Sequence, residues 1–322
     1  MYRQKKISLV IPAYNEEKLI ARTLEGVPPL IDRVYVVDDV SPDRQAEVVL
    51  EYAKKDPRVT LLRHAENQGP GGGIITGYLR SSADGYDIAL VVGGDNQMQL
   101  AEAANFLDPL IDGRADYAKG NRFLDSKLED TLAKMPKIRL FGNWLITALT
   151  KISSGYYKTM DVVDGYTAIT KKAIDTINWS RAWKGYGYPI DFLVRLNAYS
   201  LRLIDIPRTA VYLPGERQSQ IKGFNYAMKV SPMLVRDFFW RLNFKYMYRD
   251  FHPLVFFYYL AMLLLPAGAL SGLYLVYDKL LRGGYAVTPA RATLVALLLI
   301  SGTQFLLFAM HFDMEQGQNS QR

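Results

Sequence analysis

The chain has 322 residues, of which 49% are hydrophobic, 12% aromatic and 22% charged, with a formal net charge of +7 and no cysteine. That length accommodates one sizeable α/β core and one appendage, and excludes two large domains joined by a linker. Without cysteine there is no disulfide, no thiolate metal ligand and no cysteine nucleophile.

The N-terminus, MYRQKKISLVIPAYNEE, is not a signal peptide: its apolar run breaks at Pro12, and no small-residue cleavage pattern follows. Short β-branched runs at Lys6 to Pro12, Arg33 to Asp39, Val59 to Arg63 and Ile88 to Gly93 predict strands. Helical patterns lie between them, at about Glu16 to Leu24, Asp43 to Lys55 and Gly72 to Ser81. This alternation predicts right-handed crossovers and a mainly parallel sheet, in which ligands bind at the carboxyl ends of the strands. Those ends read PAYNEE, DDVSPD, ENQGPGGG and GGDNQM, so four polar segments converge on one crevice. Further strands are expected at Asp116 to Arg122, Val162 to Thr170 and Leu203 to Tyr212, with an apolar-rich helix over Ile138 to Ser153.

The apolar residues are unevenly spread. Pro253 to Tyr277 and Ala292 to Phe312 carry no Asp, Glu, Lys or Arg, and each is about the length a helix needs to cross a bilayer. Two buried core helices would show a polar face, which these lack. Just before them, Arg236, Arg241, Lys245 and Arg249 mix with Phe238, Phe239, Trp240, Phe244, Tyr246 and Tyr248, the composition of a helix lying on anionic headgroups. The basic charge is thereby assigned to a membrane rather than to nucleic acid, for which no module is recognisable.

Several residues can carry chemistry. Gly69, Gly71, Gly72, Gly73 and Gly77 follow the third strand, not the first, so they are no dinucleotide fingerprint. They allow either close backbone approach to a phosphate or sugar, or simply a tight turn. Asp95 and Gln97 stand two apart at a strand end, a half-site for one divalent cation whose remaining positions a diphosphate would fill. Asp38 and Asp39 can accept hydrogen bonds from a nucleobase or ribose, or serve a cap near Ser41 and Asp43.

In order, SLVIPAYNEE, VYVVDDVSPD, ENQGPGGG, VVGGDNQM, KGNRF, DVVDGYTA and the terminal pair of apolar segments resemble glycosyltransferase family 2. The likeness is to its polyprenyl-phosphate glycosyltransferases of the dolichol-phosphate mannose synthase type, and it covers almost the whole chain. The resemblance implies a GT-A fold, an α/β Rossmann-like nucleotide-binding domain, followed by two C-terminal transmembrane helices. It implies that Pro12, Tyr14, Glu16, Asp39, Gly94 and Asp95 line the donor pocket, and that Asp95 and Gln97 hold Mg²⁺ or Mn²⁺. The family motif there is Asp-x-Asp, and Gly93 replaces its first carboxylate.

Arg122 matches a basic residue near the donor diphosphate. Arg139 and Asn143 match an Arg and a Ser facing a phosphate, and Arg217, Ser219 and Lys222 match a phosphate-binding loop that closes over the site. Asp161 stands at the place of the presumed catalytic base, although a lipid phosphate monoester, with a second pKa of ~6, needs little deprotonation. Asp164 adds a second carboxylate where the family has a small or polar residue; facing the site together, the two would raise one pKa.

The expected organisation is a catalytic domain over 1–222, interfacial helices over 223–252, a transmembrane hairpin over 253–312 and a tail over 313–322. The expected partners are a GDP- or UDP-linked sugar, a polyprenyl phosphate and the membrane, with room for a homo-oligomer. Basic residues before the first span favour a catalytic domain on the cytoplasmic face. A processive polysaccharide synthase would need a Gln-x-x-Arg-Trp motif and more membrane helices. A catalytically impaired relative acting as a membrane scaffold is the other alternative.

Overall fold

The computed structural model describes residues 1–124, 137–209, 223–281 and 287–319. Seven strands form one sheet: β1 (Ile7–Ala13), β2 (Arg33–Asp38), β3 (Val59–Arg63), β4 (Ile88–Val91), β5 (Tyr117–Asn121), β6 (Thr167–Thr170) and β7 (Leu203–Pro207). They lie in the order β3-β2-β1-β4-β6-β5-β7. All neighbouring pairs are parallel except those of β6, which runs antiparallel to both β4 and β5. The parallel β1–β4 part therefore follows the expected alternation, and β6 turns the sheet mixed. Strand β6 is shorter than its apolar run: Val162 to Tyr166 form the approach to it.

Among the described residues, α1 (Ile20–Glu25), α2 (Gln45–Ala53), α3 (Gly69–Ala83), α4 (Ala103–Ile111), α5 (Lys137–Ser154), α6 (Lys171–Thr176) and α7 (Tyr188–Ala198) connect or flank these strands. Alternate residues of each strand feed the two faces of the sheet. Ile7, Leu9, Ile11, Val34 and Val36 join one core with Phe106 and Leu107 of α4. Val10, Tyr35, Val37 and Val91 join the other with Ile74 and Tyr78 of α3 and Phe192 of α7. Helix α3 lies directly on β1, because a Cβ at Gly77 would come within 2.1 Å of Val10 Cγ1.

The chain divides into two compact units, Met1–Phe239 with the terminal Gln318–Arg322, and Trp240–Gly317. The boundary falls inside α8 (Gly223–Asn243), which a π-helical turn, Phe244–Arg249, continues. In the second unit, α9 (Leu254–Leu281) and α10 (Pro289–Asn319) contain two stretches long and apolar enough to cross a membrane, Leu254–Leu280 and Pro289–Gly317. The helices meet at glycine: a Cβ on Gly268 would stand 2.9 Å from Leu299 Cδ2, and one on Gly302 2.9 Å from Leu265 Cγ. Helix α10 continues past the expected span. Its Asp313 is fully buried, taking both guanidinium arms of Arg241 at 2.8 Å each and the hydroxyl of Tyr246 at 2.8 Å.

Candidate active site

Three strand ends turn on residues with positive φ: Asn15 at 61° after β1, Val40 at 59° after β2 and Asn96 at 55° after β4. Asparagine tolerates this region, whereas β-branched Val40 is strained there, a cost that the surrounding contacts must offset. The first two loops are stitched together. Asn15 N donates to Ser41 Oγ at 2.7 Å, Glu16 N to Gln45 Oε1 at 3.0 Å and Glu17 N to Asp43 Oδ2 at 2.8 Å. Gln45 in turn donates to Ala13 O at 3.1 Å and to Asp38 Oδ1 at 2.8 Å. Pro12, Tyr14 and Glu16 are thereby set beside the end of β2, with Tyr14 exposed.

Asp39 is nearly buried, and its carboxylate is held by donors of the chain itself. Gln68 N and His64 Nδ1 reach Oδ1 at 2.7 Å, and Gly69 N reaches Oδ2 at 2.7 Å. The other ring nitrogen of His64 pairs with Thr76 Oγ1 at 2.8 Å, so the ring bridges Asp39 to α3. The carboxylate that the resemblance assigns to the nucleoside pocket thus also anchors the glycine-rich turn. Those glycines serve packing. A Cβ at Gly73 would press on Pro12 at 3.1 Å, and the amides of Gly71 and Gly72 donate to Lys184 O at 2.7 and 3.3 Å.

Beyond β4, Gly94 is buried where β1 and β4 end together; its carbonyl accepts from Thr23 Oγ1 at 3.1 Å, and the Cγ of Glu16 lies 3.4 Å from where its Cβ would be. Asp95 and Gln97 follow, partly exposed, with Gln97 N donating to Asp95 Oδ1 at 3.2 Å. Among the described residues no three His, Cys, Asp or Glu side chains gather as a metal cage. One carboxylate and one amide oxygen on an open strand end fit a hard cation that keeps water and substrate phosphate in its shell, which is how Mg²⁺ and Mn²⁺ are commonly held. Gly93 leaves room for this carboxylate, since a Cβ there would stand 3.0 Å from Asp95 Oδ1.

A second group of charges lies past β5. Arg122 grips the buried Asp161 twice, Nε to Oδ2 at 2.6 Å and Nη2 to Oδ1 at 2.9 Å, and its Nε also lies 3.3 Å from Asp164 Oδ2. Arg208 meets Asp164 from the other side, with Nε 2.7 Å from Oδ2. Lys119, fully buried, donates to the Asp161 carbonyl. Burial alone would raise the Asp161 carboxyl, but the Arg122 hydrogen bonds and the charges of Lys119 and Arg122 outweigh it and hold the group below its ordinary value. For Asp161, then, a neighbouring carboxylate does not dominate, because Arg122 lies against both. Burial pushes Asp205 upward; its Oδ2 accepts from Asn121 Nδ2 at 2.8 Å. The two groups of residues meet at Met98, whose Cε lies 3.4 Å from the Cβ position of Gly165, and at Tyr166, whose hydroxyl donates to Gln99 O at 3.2 Å.

The sequence pattern of glycosyl transferase family 2 matches residues 8–177, just over half of the chain. The chain belongs to glycosyl transferase family 2. This family's GT-A architecture is the one observed. Glucosyl-3-phosphoglycerate synthase of Mycobacterium tuberculosis in complex with UDP superposes with a TM-score of 0.52 at 16% identity, over 74% of this chain and 80% of that one. The same synthase, in a complex with Mn²⁺, UDP-glucose and phosphoglyceric acid, gives 0.52. Two curated relatives are matched over most of their own length. UDP-N-acetylglucosamine–dolichyl-phosphate N-acetylglucosaminyltransferase of Methanococcus voltae is 28% identical, over 65% of this chain and 86% of that protein. Undecaprenyl-phosphate mannosyltransferase of Micrococcus luteus is 27% identical, over 64% and 84%.

In this family 2 enzyme the structure gathers Pro12, Tyr14, Glu16, Asp39, Gly94 and Asp95 at the ends of β1, β2 and β4, and joins Arg122 to Asp161 at the end of β5. Arg139 and Asn143 lie on α5, where side chains up to residue 143 fall outside the described ones. Arg217, Ser219 and Lys222 lie outside the described residues altogether. Sequence reasoning missed His64, Lys119 and Arg208. A lone histidine at a strand end has no spacing signature, and buried Lys and Arg look like solvated charges until their carboxylates are placed.

Proposed function

We propose that this enzyme transfers a sugar from a nucleotide-sugar donor to a polyprenyl phosphate at the membrane surface, with inversion at the anomeric carbon. The observation that carries this reading is the gathering of Asp39, Gly94 and Asp95 at the strand ends, with Arg122 paired to Asp161 past β5, in one chain with two helices apolar enough to span a bilayer. The lipid-phosphate acceptors named for the two curated relatives agree with it.

An acceptor phosphate oxygen attacks the anomeric carbon, the bond from that carbon to the donor diphosphate breaks with its electron pair, and the nucleoside diphosphate leaves from the opposite face. The phosphate, with its second pKa of ~6, is largely dianionic at neutral pH, so no base need remove a proton. The difficulty is the meeting of two anions. Asp95 and Gln97 would hold Mg²⁺ or Mn²⁺, which supplies Lewis-acid neutralisation of the leaving diphosphate. Arg122 adds a fixed guanidinium, and Asp161 holds that guanidinium in place rather than acting as a base. Arg139, Asn143, Arg217, Ser219 and Lys222 bind the acceptor phosphate. Of the basic and aromatic residues before the first span, Tyr248 and Arg249 are exposed and contact the cytoplasmic headgroups, whereas Arg241 and Lys245 are buried and do not, and the two spans tether the enzyme to the membrane that carries its lipid substrate.

The test incubates detergent-purified protein with a polyprenyl phosphate, Mn²⁺ and a panel of radiolabelled GDP- and UDP-sugars. Label entering the organic phase from one donor names the sugar. Nucleotide binding with no transfer from any donor would replace this reading with another acceptor or with an impaired scaffold, for which Gly93 and Asp164 are the motive.

A further inference from the structure

The glycine-rich turn is gripped from two sides. On one side Asp39 takes the amides of Gln68 and Gly69 at 2.7 Å each. On the other, Lys184 O accepts from Gly71 N at 2.7 Å and Gly72 N at 3.3 Å, and Lys184 Nζ donates to Gln68 Oε1 at 2.7 Å. The fit is close: a Cβ at Gly69 would meet Lys184 O at 2.8 Å, and one at Gly71 would meet Trp183 O at 2.6 Å. Gly69 itself has φ +79°, where only glycine is unstrained.

What seats Lys184 is a buried ion pair on α7. Asp191 Oδ2 accepts from Trp183 N at 3.0 Å and from Arg195 Nε at 2.7 Å, and Oδ1 accepts from Arg195 Nη2 at 3.2 Å. Arg195 also donates to the Arg181 carbonyl, and its Nη1 donates to Asn178 O at 3.4 Å. The pair therefore grips the connection before α7 at residues 178, 181 and 183. Asp191 is 1% exposed and Arg195 5%. A buried pair is a costly way to stabilise a helix, since apolar residues of similar volume often do as well. Its hydrogen bonds instead run out of α7 to the loop main chain. Arg236 of α8 adds a second cation, Nη2 3.5 Å from Asp191 Oδ1.

We propose that Asp191 is a positioning residue for the donor half of the site: it seats the 178–187 loop on the glycine-rich turn and so fixes the turn against Asp39. This rests on the donor reading above. Loss of the grip leaves the turn held by Asp39 alone, which weakens the donor and leaves the acceptor untouched.

The experiment uses full-length protein in detergent with Asp191→Asn, which keeps an acceptor for Trp183 N but removes the charge that holds Arg195. Lys184→Met, on an exposed side chain, removes the Gln68 contact without a buried change. Arg236→Ala, half exposed, removes the α8 contact. Hydrogen exchange at Gln68–Gly73 is expected to rise in Asp191→Asn and Lys184→Met. KM for the nucleotide sugar is expected to rise about 5- to 10-fold in Asp191→Asn and about 3-fold in Lys184→Met, as for the loss of one hydrogen bond. KM for the polyprenyl phosphate stays unchanged, a split that mere destabilisation would not give. If Asp191→Asn does not fold, Lys184→Met and Arg236→Ala decide. Unchanged exchange and unchanged donor KM in folded variants would overturn the proposal. Raised exchange in a protein whose wild type binds no nucleotide would sink the donor reading and leave the seating role standing.

Discussion

Arg122 and Asp161 form a two-armed ion pair, with Nε 2.6 Å and Nη2 2.9 Å from the carboxylate oxygens, and the Arg122 amide completes it at 3.2 Å. A carboxylate so occupied, and held below its ordinary pKa, is a poor proton acceptor and a good anchor. Asp161→Asn is therefore expected to lower kcat about 10²-fold, in the range for losing one preorganised electrostatic contact, with little change in donor KM. The pH profile separates anchor from base. The ascending limb, set by the lipid phosphate at ~6, should persist in Asp161→Asn. Loss of that limb in the variant would make Asp161 the base.

Gly93 sets the space around Asp95. An added methyl at 3.0 Å from Asp95 Oδ1 must push the carboxylate by a few tenths of an ångström. Gly93→Ala is expected to weaken Mn²⁺ activation several-fold, read as the metal concentration giving half-maximal transfer, while thermal stability stays within about 0.5 kcal/mol of wild type. Equal activation curves would show that the carboxylate swings clear at no cost.

Asp237, buried on α8, has one oxygen, Oδ2, with no hydrogen-bond partner, while Oδ1 takes Arg236 Nη2 at 2.7 Å. Burial, and then the charge of Asp191, push its carboxyl up to about 7. A raised folded pKa means that the folded state binds more protons than the unfolded state between ~4 and about 7, so stability falls as pH rises through that window. Asp237→Asn should flatten the fall in Tm between pH 5 and 8 and raise Tm at pH 8. An unchanged slope, measured by differential scanning fluorimetry in detergent, would assign the pH dependence elsewhere.

In the second unit, Arg241 and Asp313 are both fully buried and pair through two 2.8 Å contacts. Removing one member strands the other, a change that costs about 3–5 kcal/mol. Arg241→Ala is expected to lower Tm markedly, whereas the pair replacement Arg241→Met with Asp313→Leu should recover most of the loss. No recovery would show that the charges themselves are required.

The sequence made the parallel half of the sheet legible because each of its strands is a β-branched run closed by polar residues. The antiparallel strand β6 was legible in part: its presence and its end at Thr170 were read, its start and its direction were not. Its run from Val162 to Thr170 reads as one strand, but Asp164 is drawn out of the ladder by Arg208 and by its own cap to Tyr166 N at 2.8 Å. Helix α4 was missed although Ala103, Phe106, Leu107 and Leu110 recur at helical spacing, because Pro109 inside it looks like a stop. At the site, Asp95 and Gln97 stood out by their place at a strand end, and Arg122 only through the family resemblance of its segment. The grip of Asp191 on a loop that touches the glycine turn 116 residues away from Lys184 in sequence, through Gln68, depends on tertiary placement that no local pattern carries.

In the proposed reaction Asp95 and Arg122 serve transfer of a sugar to a lipid phosphate. This role is tested most directly by the time course of radiolabel passing from nucleotide sugar to the organic phase, for wild type and Asp95→Ala, with Mn²⁺ and then with excess EDTA. Transfer by wild type is expected to stop with EDTA and return with Mn²⁺, and Asp95→Ala is expected to give none above background. Transfer by Asp95→Ala at the wild-type rate, or transfer indifferent to EDTA, would contradict this role.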